Sequence, residues 1–337
     1  MPARLVDHRP EVTAQTLLAQ LAPPPRFDAV RFETYLPDPG QPTQTLAVQA
    51  VRAFAARTDG ASRRRGWLRR AAAPEHRPGI YLDGGFGVGK THLLASLWHA
   101  APLLREQRIF CTFVELTHLA GTLGFPQTVE LLSRCRLVCV DEFELDDPGD
   151  TVLVSTLLSR LADADVRFAA TSNTLPGKLG EGRFSAQDFL REIQSVSAKF
   201  DVVRIDGEDY RHRGLPVAPA PVTDDRLLAM AEASGGTLDD FSELCDHLRS
   251  IHPSQYGSLV DGVRRVHIRG LRTLDDQATA LRLVVLADRL YDRAVPAVVS
   301  GVPLDQLFTP ELLAGGYRKK YFRAISRLVA LSRESTT

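Results

Sequence analysis

The chain runs to 337 residues, 44% hydrophobic and 24% charged, a composition that excludes a wholly disordered polypeptide and leaves room for one large domain plus a smaller one. Lys+Arg and Asp+Glu stand equal at 41 each, so no basic excess marks a general nucleic-acid coat, although local patches stay open. Nearly all basic residues are Arg; Lys occurs only at positions 90, 178, 199, 319 and 320, which makes Lys90 conspicuous.

Arg4, Asp7, His8, Arg9 and Glu11 make the first residues polar, and no apolar stretch reaches the length of a membrane span. The expectation is a soluble, cytoplasmic protein. A short amphipathic helix is expected at 12–21, stopped by Pro23-Pro24-Pro25, because proline cannot continue a helix. Residues 27–44 are Pro-rich and irregular, 41–56 read as a helix, and 57–77 as a basic loop carrying Arg63, Arg64, Arg65, Arg69 and Arg70. The loop reads as solvated, with a nucleic-acid or partner contact as the alternative.

From residue 79 the pattern changes. A short apolar strand at 79–83 leads into a Gly-rich loop, followed by a helix at 91–104 and a strand at 109–114. Helices are expected at 116–123 and 126–135. Leu137-Val138-Cys139-Val140 is a continuous apolar run, the mark of a strand buried on both faces. A helix at 150–161, a strand at 167–171, a helix at 185–197 and a strand at 202–205 complete the series. Strand and helix alternate, which predicts an α/β fold with a parallel core sheet and helices on both faces. The Pro-rich stretch 214–221 reads as a linker. Beyond it helices dominate, at 224–233, 239–248, 254–263, 276–294 and 317–331, with one strand-like run at 295–299. The expected organisation is an N-terminal segment 1–78, a core 79–213, a linker 214–221 and a mostly helical region 222–337. Cys111, Cys135, Cys139 and Cys245 form no C-x-x-C pair and read as reduced core thiols, not as a zinc site.

Gly84-Gly85-Phe86-Gly87-Val88-Gly89-Lys90-Thr91 fits G-x-x-x-x-G-K-[ST] at every fixed position. Glycines let the backbone curl so that several N–H groups aim at one anion, and the following helix adds its positive end. Lys90 supplies a charge to the β- and γ-phosphates of ATP, and the Thr91 hydroxyl is a ligand for magnesium. The strand 137–140 ends in Asp141-Glu142. Consecutive strand residues point in different directions, so Asp141 is assigned to magnesium and Glu142 to polarising the attacking water. Thr171-Ser172-Asn173 closes the strand at 167–171. Ligands of open α/β sheets sit at the carboxyl ends of strands, and Asn173 is placed near the γ-phosphate.

A loop ending in Lys90-Thr91, a strand ending in Asp141-Glu142-Phe143 and a strand ending in Ala170-Thr171-Ser172-Asn173 resemble an AAA+ ATPase of the P-loop NTPase class. More narrowly the chain resembles the ZapE-type cell-division ATPases and their AFG1-like relatives. Asp147, Asp150, Pro176, Phe189-Leu190, Asp209-Tyr210-Arg211-His212-Arg213, Phe241-Ser242-Glu243-Leu244-Cys245, Leu290-Tyr291-Asp292 and the run 323–328 match in that family's order. The matches span about residues 79 to 330.

The resemblance implies a C-terminal helical lid, ATP bound by residues 84–91 with His92 adjoining, and a lid Arg, assigned to Arg323, which shares a helix face with Arg327. It implies self-association with ATP between subunits, and an arginine finger assigned to Arg183, with Arg191 as the second candidate. It also implies a protein client in division or quality control, with nucleic acid disfavoured as a partner. Three features depart from the pattern: Phe86-Gly87-Val88 stands where many members carry a small or basic residue, the stretch between the second strand and Cys135 is much shorter than usual, and no Arg stands at the usual place before Phe189. A DNA-replication initiator or helicase loader is the alternative, since 87–93 resembles loops of that group. A nucleotide-gated switch with negligible turnover is a second.

Overall fold

The computed structural model describes residues 2–10, 21–58, 76–85, 87–145, 148–180, 186–207 and 218–334. The helix expected at 12–21, the basic stretch 59–75, Phe86, Asp147, Arg183, the motif 209–213 and the first half of the 214–221 linker lie outside the described residues. The chain divides into two compact units, one of Thr13–Pro23 and Phe27–Tyr210, the other of Met1–Val12, Pro24–Arg26 and Arg211–Thr337.

The first unit follows the predicted alternation. After α1 (Pro42–Ala55) come β1 (Gly79–Gly84), α2 (Lys90–Ala100), β2 (Arg108–Thr112), α3 (Phe113–Leu123), α4 (Phe125–Ser133), β3 (Leu137–Asp141), α5 (Pro148–Asp163), β4 (Arg167–Ser172), α6 (Leu190–Ser197) and β5 (Phe200–Ile205). All strand pairs are parallel, in the order β2-β3-β4-β1-β5. β1 lies between β4 and β5, and all six of its residues are buried. Side chains alternate between two layers. Ile80, Leu82, Cys139 and Ala169 join the α1 and α2 core. On the other face Tyr81 and Phe168 pack edge-on to Phe200, with centroids 5.3 and 5.2 Å away. Gly79 is compulsory there, because a Cβ would stand 2.5 Å from the Phe168 ring and 2.7 Å from Phe200.

Two helix boundaries differ from expectation for local reasons. α2 stops at Ala100, not at 104, because Pro102 forces the preceding Ala101 out of the helical region, to φ −59° and ψ 126°. The Arg108 guanidinium then takes up the freed carbonyls of Trp98, His99 and Ala101, at 2.5, 3.3 and 3.3 Å. The helix expected at 185–197 begins instead as a tight turn, Ala186–Phe189, and becomes α-helical only at Leu190.

The second unit corrects the reading of the C-terminal region. Helices α7 (Asp224–Ser234), α8 (Phe241–Ser250), α9 (Gln277–Asp292) and α10 (Arg318–Glu334) supply most of it. They surround a three-stranded parallel sheet, β6 (Thr237–Asp240), β7 (Val266–Leu271) and β8 (Ala297–Gly301), in that order. Only β8 was anticipated, two residues early. β6 falls where the helix 239–248 was expected; that helix starts at Phe241, capped by the Asp240 carboxylate, which accepts from Ser242 N at 3.0 Å. β7 escaped because its sequence, VHIRGL, mixes polar groups into a buried strand. The helix expected at 254–263 is a single turn, Tyr256–Leu259.

Both edges of this sheet are covered, as exposed strand edges require. Ala3 bridges Thr237 on one side and Val222 bridges Ser300 on the other. Leu5 is 2% exposed in the core, and the fully buried Asp239 carboxylate accepts from Leu5 N and Val6 N, each at 3.1 Å. The first residues therefore complete the C-terminal unit, which a contiguous 1–78 segment did not foresee.

Candidate active site

The strand order brings the carboxyl ends of β1, β4 and β3 side by side, because β4 pairs with both neighbours. The Gly-rich loop, Asp141-Glu142 and Thr171-Ser172-Asn173 each sit at one of those ends. Gly84 ends β1, where a Cβ would stand 2.4 Å from the Ile205 carbonyl. Gly87 and Gly89 take φ of 75° and 87°, conformations that L side chains rarely adopt. They turn the loop so that α2 starts at Lys90.

Lys90 Nζ donates to the carbonyls of Gly84 at 2.8 Å and Gly85 at 2.5 Å, and to Asn173 Oδ1 at 2.7 Å. The Gly-rich loop and the end of β4 thus meet at one ammonium group. The Thr91 hydroxyl donates toward the Asp141 carboxylate, at 3.2 Å from Oδ1 and 3.1 Å from Oδ2. Lys90, Thr91, Glu142 and Asn173 are half-buried, whereas Asp141 and Thr171 are buried. A hydroxyl and a carboxylate in contact are the hard oxygen donors that Mg²⁺ takes in small number, the phosphates supplying the rest. The pair fits that cation.

Glu142 leaves the strand in the left-handed region, at φ 54°. Glu142 lies past the end of β3, so this turn, and not strand alternation, sets its direction relative to Asp141. Phe143 then plunges into the core, with centroids 5.1 Å from Phe113 and 6.1 Å from Phe200. Tyr81 donates its hydroxyl to the Thr174 carbonyl at 2.7 Å, next to Asn173. At the end of β1 the buried Asp83 accepts from Arg204 Nη1 at 2.5 Å.

One supporting residue gave no sequence signal. Tyr35, from the stretch read as irregular, donates to the Val88 carbonyl at 2.8 Å, and its ring lies where any Cβ on Gly89 would fall, 2.4 Å from Cε2. His92 turns to the same segment. Its Nε2 lies 2.9 Å from Thr34 Oγ1 and 3.1 Å from the Arg31 carbonyl, and burial holds its pKa below the usual value. Of the finger candidates, Arg191 is exposed on the first turn of α6.

Arg323 lies in the C-terminal unit, buried, with Nη2 2.6 Å from Asp288 Oδ2; Arg327 Nη1 pairs with the other oxygen of the same carboxylate. Burial acts to raise the Asp288 pKa, but the charges of Arg323 and Arg327 prevail and hold it below the carboxylate range.

A parallel β2-β3-β4-β1-β5 sheet with a Gly-rich G-x-x-x-x-G-K-T loop after β1, an Asp-Glu pair after β3 and a polar Asn after β4 is the arrangement of a P-loop NTPase fold. The chain belongs to the AFG1-like ATPase family, whose model matches residues 11–232 and 222–336. It is 28% identical over 327 residues to the cell division protein ZapE of Escherichia coli K12, covering 83% of this chain and 85% of that protein. It is 24% identical over 304 residues to the lactation elevated protein 1 homolog B of Danio rerio, covering 73% of this chain and 60% of that one. Among solved structures, domain III of the Thermotoga maritima replication initiation protein DnaA is 16% identical with a TM-score of 0.40, covering 62% of this chain and 75% of that one. That superposition is too loose to carry a functional argument. Among the described residues no helix is long and apolar enough to cross a membrane.

Proposed function

We propose that this chain hydrolyses ATP to ADP and phosphate with magnesium, and that it couples the reaction to work on a protein client. The observation that carries the reading is the meeting of three separate motifs: Lys90 with Asn173 at 2.7 Å, and Thr91 with Asp141 at 3.1 Å. Loop N–H groups and Lys90 hold the β- and γ-phosphates, and Thr91 and Asp141 hold the cation. Magnesium, when bound, offsets charge on the phosphate oxygens. Glu142 orients and polarises the attacking water, and Asn173 helps to hold that water against the γ-phosphate. Stabilising charge that grows in the transition state supplies most of the catalysis in this reaction class.

A second subunit completes the proposed site through Arg183, with Arg191 as the other candidate. Arg323 is left out of this machinery because its guanidinium is committed to Asp288. The relative named for cell division suggests a client in that process, in the cytoplasm. Equal acidic and basic counts disfavour the initiator and loader alternative.

The test is ATP turnover across a wide range of protein concentration. Specific activity is expected to rise with concentration. Mixing Glu142→Gln protein with Arg183→Ala protein is expected to recover activity, because an intact Glu142 face then meets an intact Arg183. Constant specific activity and no recovery on mixing would dismiss the shared site. DNA-stimulated turnover would move the reading to the loader class, and tight binding without hydrolysis to the switch.

A further inference from the structure

Three consecutive residues at the end of β3 are tied to a single residue of β4. The Thr171 hydroxyl donates to Asp141 Oδ1 and accepts from Glu142 N at 3.0 Å, while the Thr171 carbonyl accepts from Phe143 N at 2.7 Å. Thr171 is 1% exposed, so water does not compete for these bonds. A threonine hydroxyl has one donor and two acceptor sites, which lets it serve a carboxylate and an N–H together. Its β-branched side chain also has few rotamers to choose from in a strand.

Glu142 needs such a tether. Among the described residues, the non-glycine residues with positive φ are Glu142, Asp165 and Ala294. Asp165 and Ala294 stand just past the ends of α5 and α9, where a left-handed residue is common. Glu142 follows a strand. A residue held in that region persists only where its surroundings over-determine it. The bond from its own N–H to Thr171 is the local restraint that does so.

Resting on the ATPase reading above, we propose that Thr171 is a positioning residue that sets both acids at once: the Asp141 carboxylate toward the cation, and the Glu142 backbone in the turn that sends its side chain away from Asp141. Ser172 ends the same strand and Asn173 follows it, so the hydroxyl links the water-polarising acid to the polar end of β4. With its hydroxyl and carbonyl bonded to Asp141, Glu142 and Phe143, the buried residue acts through its neighbours.

The experiment compares Thr171→Val, Thr171→Ser and wild type in the full chain. Thr171→Val keeps shape and removes the hydroxyl. It should lower kcat roughly 10- to 100-fold, the scale of a catalytic group misplaced by about 1 Å, with a smaller change in KM for ATP. It should also raise several-fold the Mg²⁺ concentration needed for half-maximal binding of a fluorescent ATP analogue, while binding without Mg²⁺ stays near wild type. Thr171→Ser should recover most of both losses. Wild-type kcat and Mg²⁺ dependence in Thr171→Val would overturn the proposal, and so would a serine variant as impaired as the valine one, since that marks packing. If the valine variant does not fold, Thr171→Ala replaces it with the same expected direction, and wild-type values there are equally fatal. A wild-type chain without turnover would defeat the ATPase reading, yet the magnesium arm would still judge Thr171 through Asp141.

Discussion

At the carboxyl ends of β1, β3 and β4 Lys90, Thr91 and Glu142 are half-buried, and the contacts there are ones that a nucleotide can replace: Lys90 rests on two loop carbonyls and Asn173, and Thr91 on the buried Asp141. In the C-terminal unit the charged groups are sealed in. Asp288 faces Arg323 and Arg327, and neighbouring Arg289 lies 3.8 Å from Asp292. Arg327 and Arg26 also lay their guanidinium groups over the Tyr291 ring, at 5.1 and 3.9 Å. Both clusters look alike in a sequence rich in Arg. The difference teaches that a cluster of charged groups by itself says little about function: one set lies half-buried at strand ends beside a Gly-rich loop, and the other is buried.

Breaking each cluster should have different consequences. The largest effect is expected from Lys90→Ala, which removes the one lysine charge aimed at the phosphates while keeping a good helix former at the start of α2. Tight ATP binding should vanish, with thermal stability little changed. Near-normal affinity in a nucleotide titration would mean that the loop is not the phosphate site.

Next comes Glu142→Gln, which should retain ATP and magnesium binding and lower turnover by roughly 10²-fold or more, the scale of a lost general base. Asp141→Asn should instead weaken the magnesium-dependent part of binding. Steady-state rates and binding curves measured on the two variants would have to coincide for this division of roles to fail.

In the closed cluster, Asp288→Asn should leave nucleotide binding by the first unit intact and destabilise the second. It removes the carboxylate charge shared by two guanidinium groups that are 5% and 15% exposed, and breaking a buried pair from one side typically costs about 3–5 kcal/mol. Urea unfolding would read this. A loss well under 1 kcal/mol, the range of surface pairs, would show that the cluster is solvated.

The smallest expected effect is a pH slope. His267 is fully buried in β7, with Nδ1 2.8 Å from the Thr237 carbonyl. Burial, assisted by Arg265, keeps its pKa below the ordinary value despite that hydrogen bond. The unfolded chain therefore takes up a proton near pH 6.5 that the folded chain refuses. Stability should be full above that pH and fall as pH drops from there toward the lowered folded value. Asp239, whose pKa burial raises, works in the opposite sense, so the slope must be compared with that of His267→Gln. Parallel slopes in the two proteins would remove His267 as the cause.

How far the molecule was legible differs between the units for a physical reason. β1, β3 and β4 are buried across the sheet, so they appear as apolar runs, and the loop and acids follow each at fixed spacing. β6 is four residues long, and β7 carries His267 and Arg269. Neither shows a period that separates it from a helix or a loop. Tyr35 was invisible because its contact with the loop joins residues 53 positions apart, and nothing in a Pro-rich stretch announces a long-range partner.

The residues themselves determined the Gly-rich loop, the acid pair and the parallel α/β class, because each depends on local spacing and on which side chains a covered strand tolerates. Only the tertiary structure decided the rest. It set the strand order that lets Lys90 meet Asn173 and gave the first residues to the sheet of the C-terminal unit. It also turned Glu142 to positive φ under the Thr171 hydroxyl and locked Arg323 onto Asp288. Each of these outcomes is a contact between groups remote in sequence, whose energy depends on distance and burial, and neither quantity exists until the chain has folded.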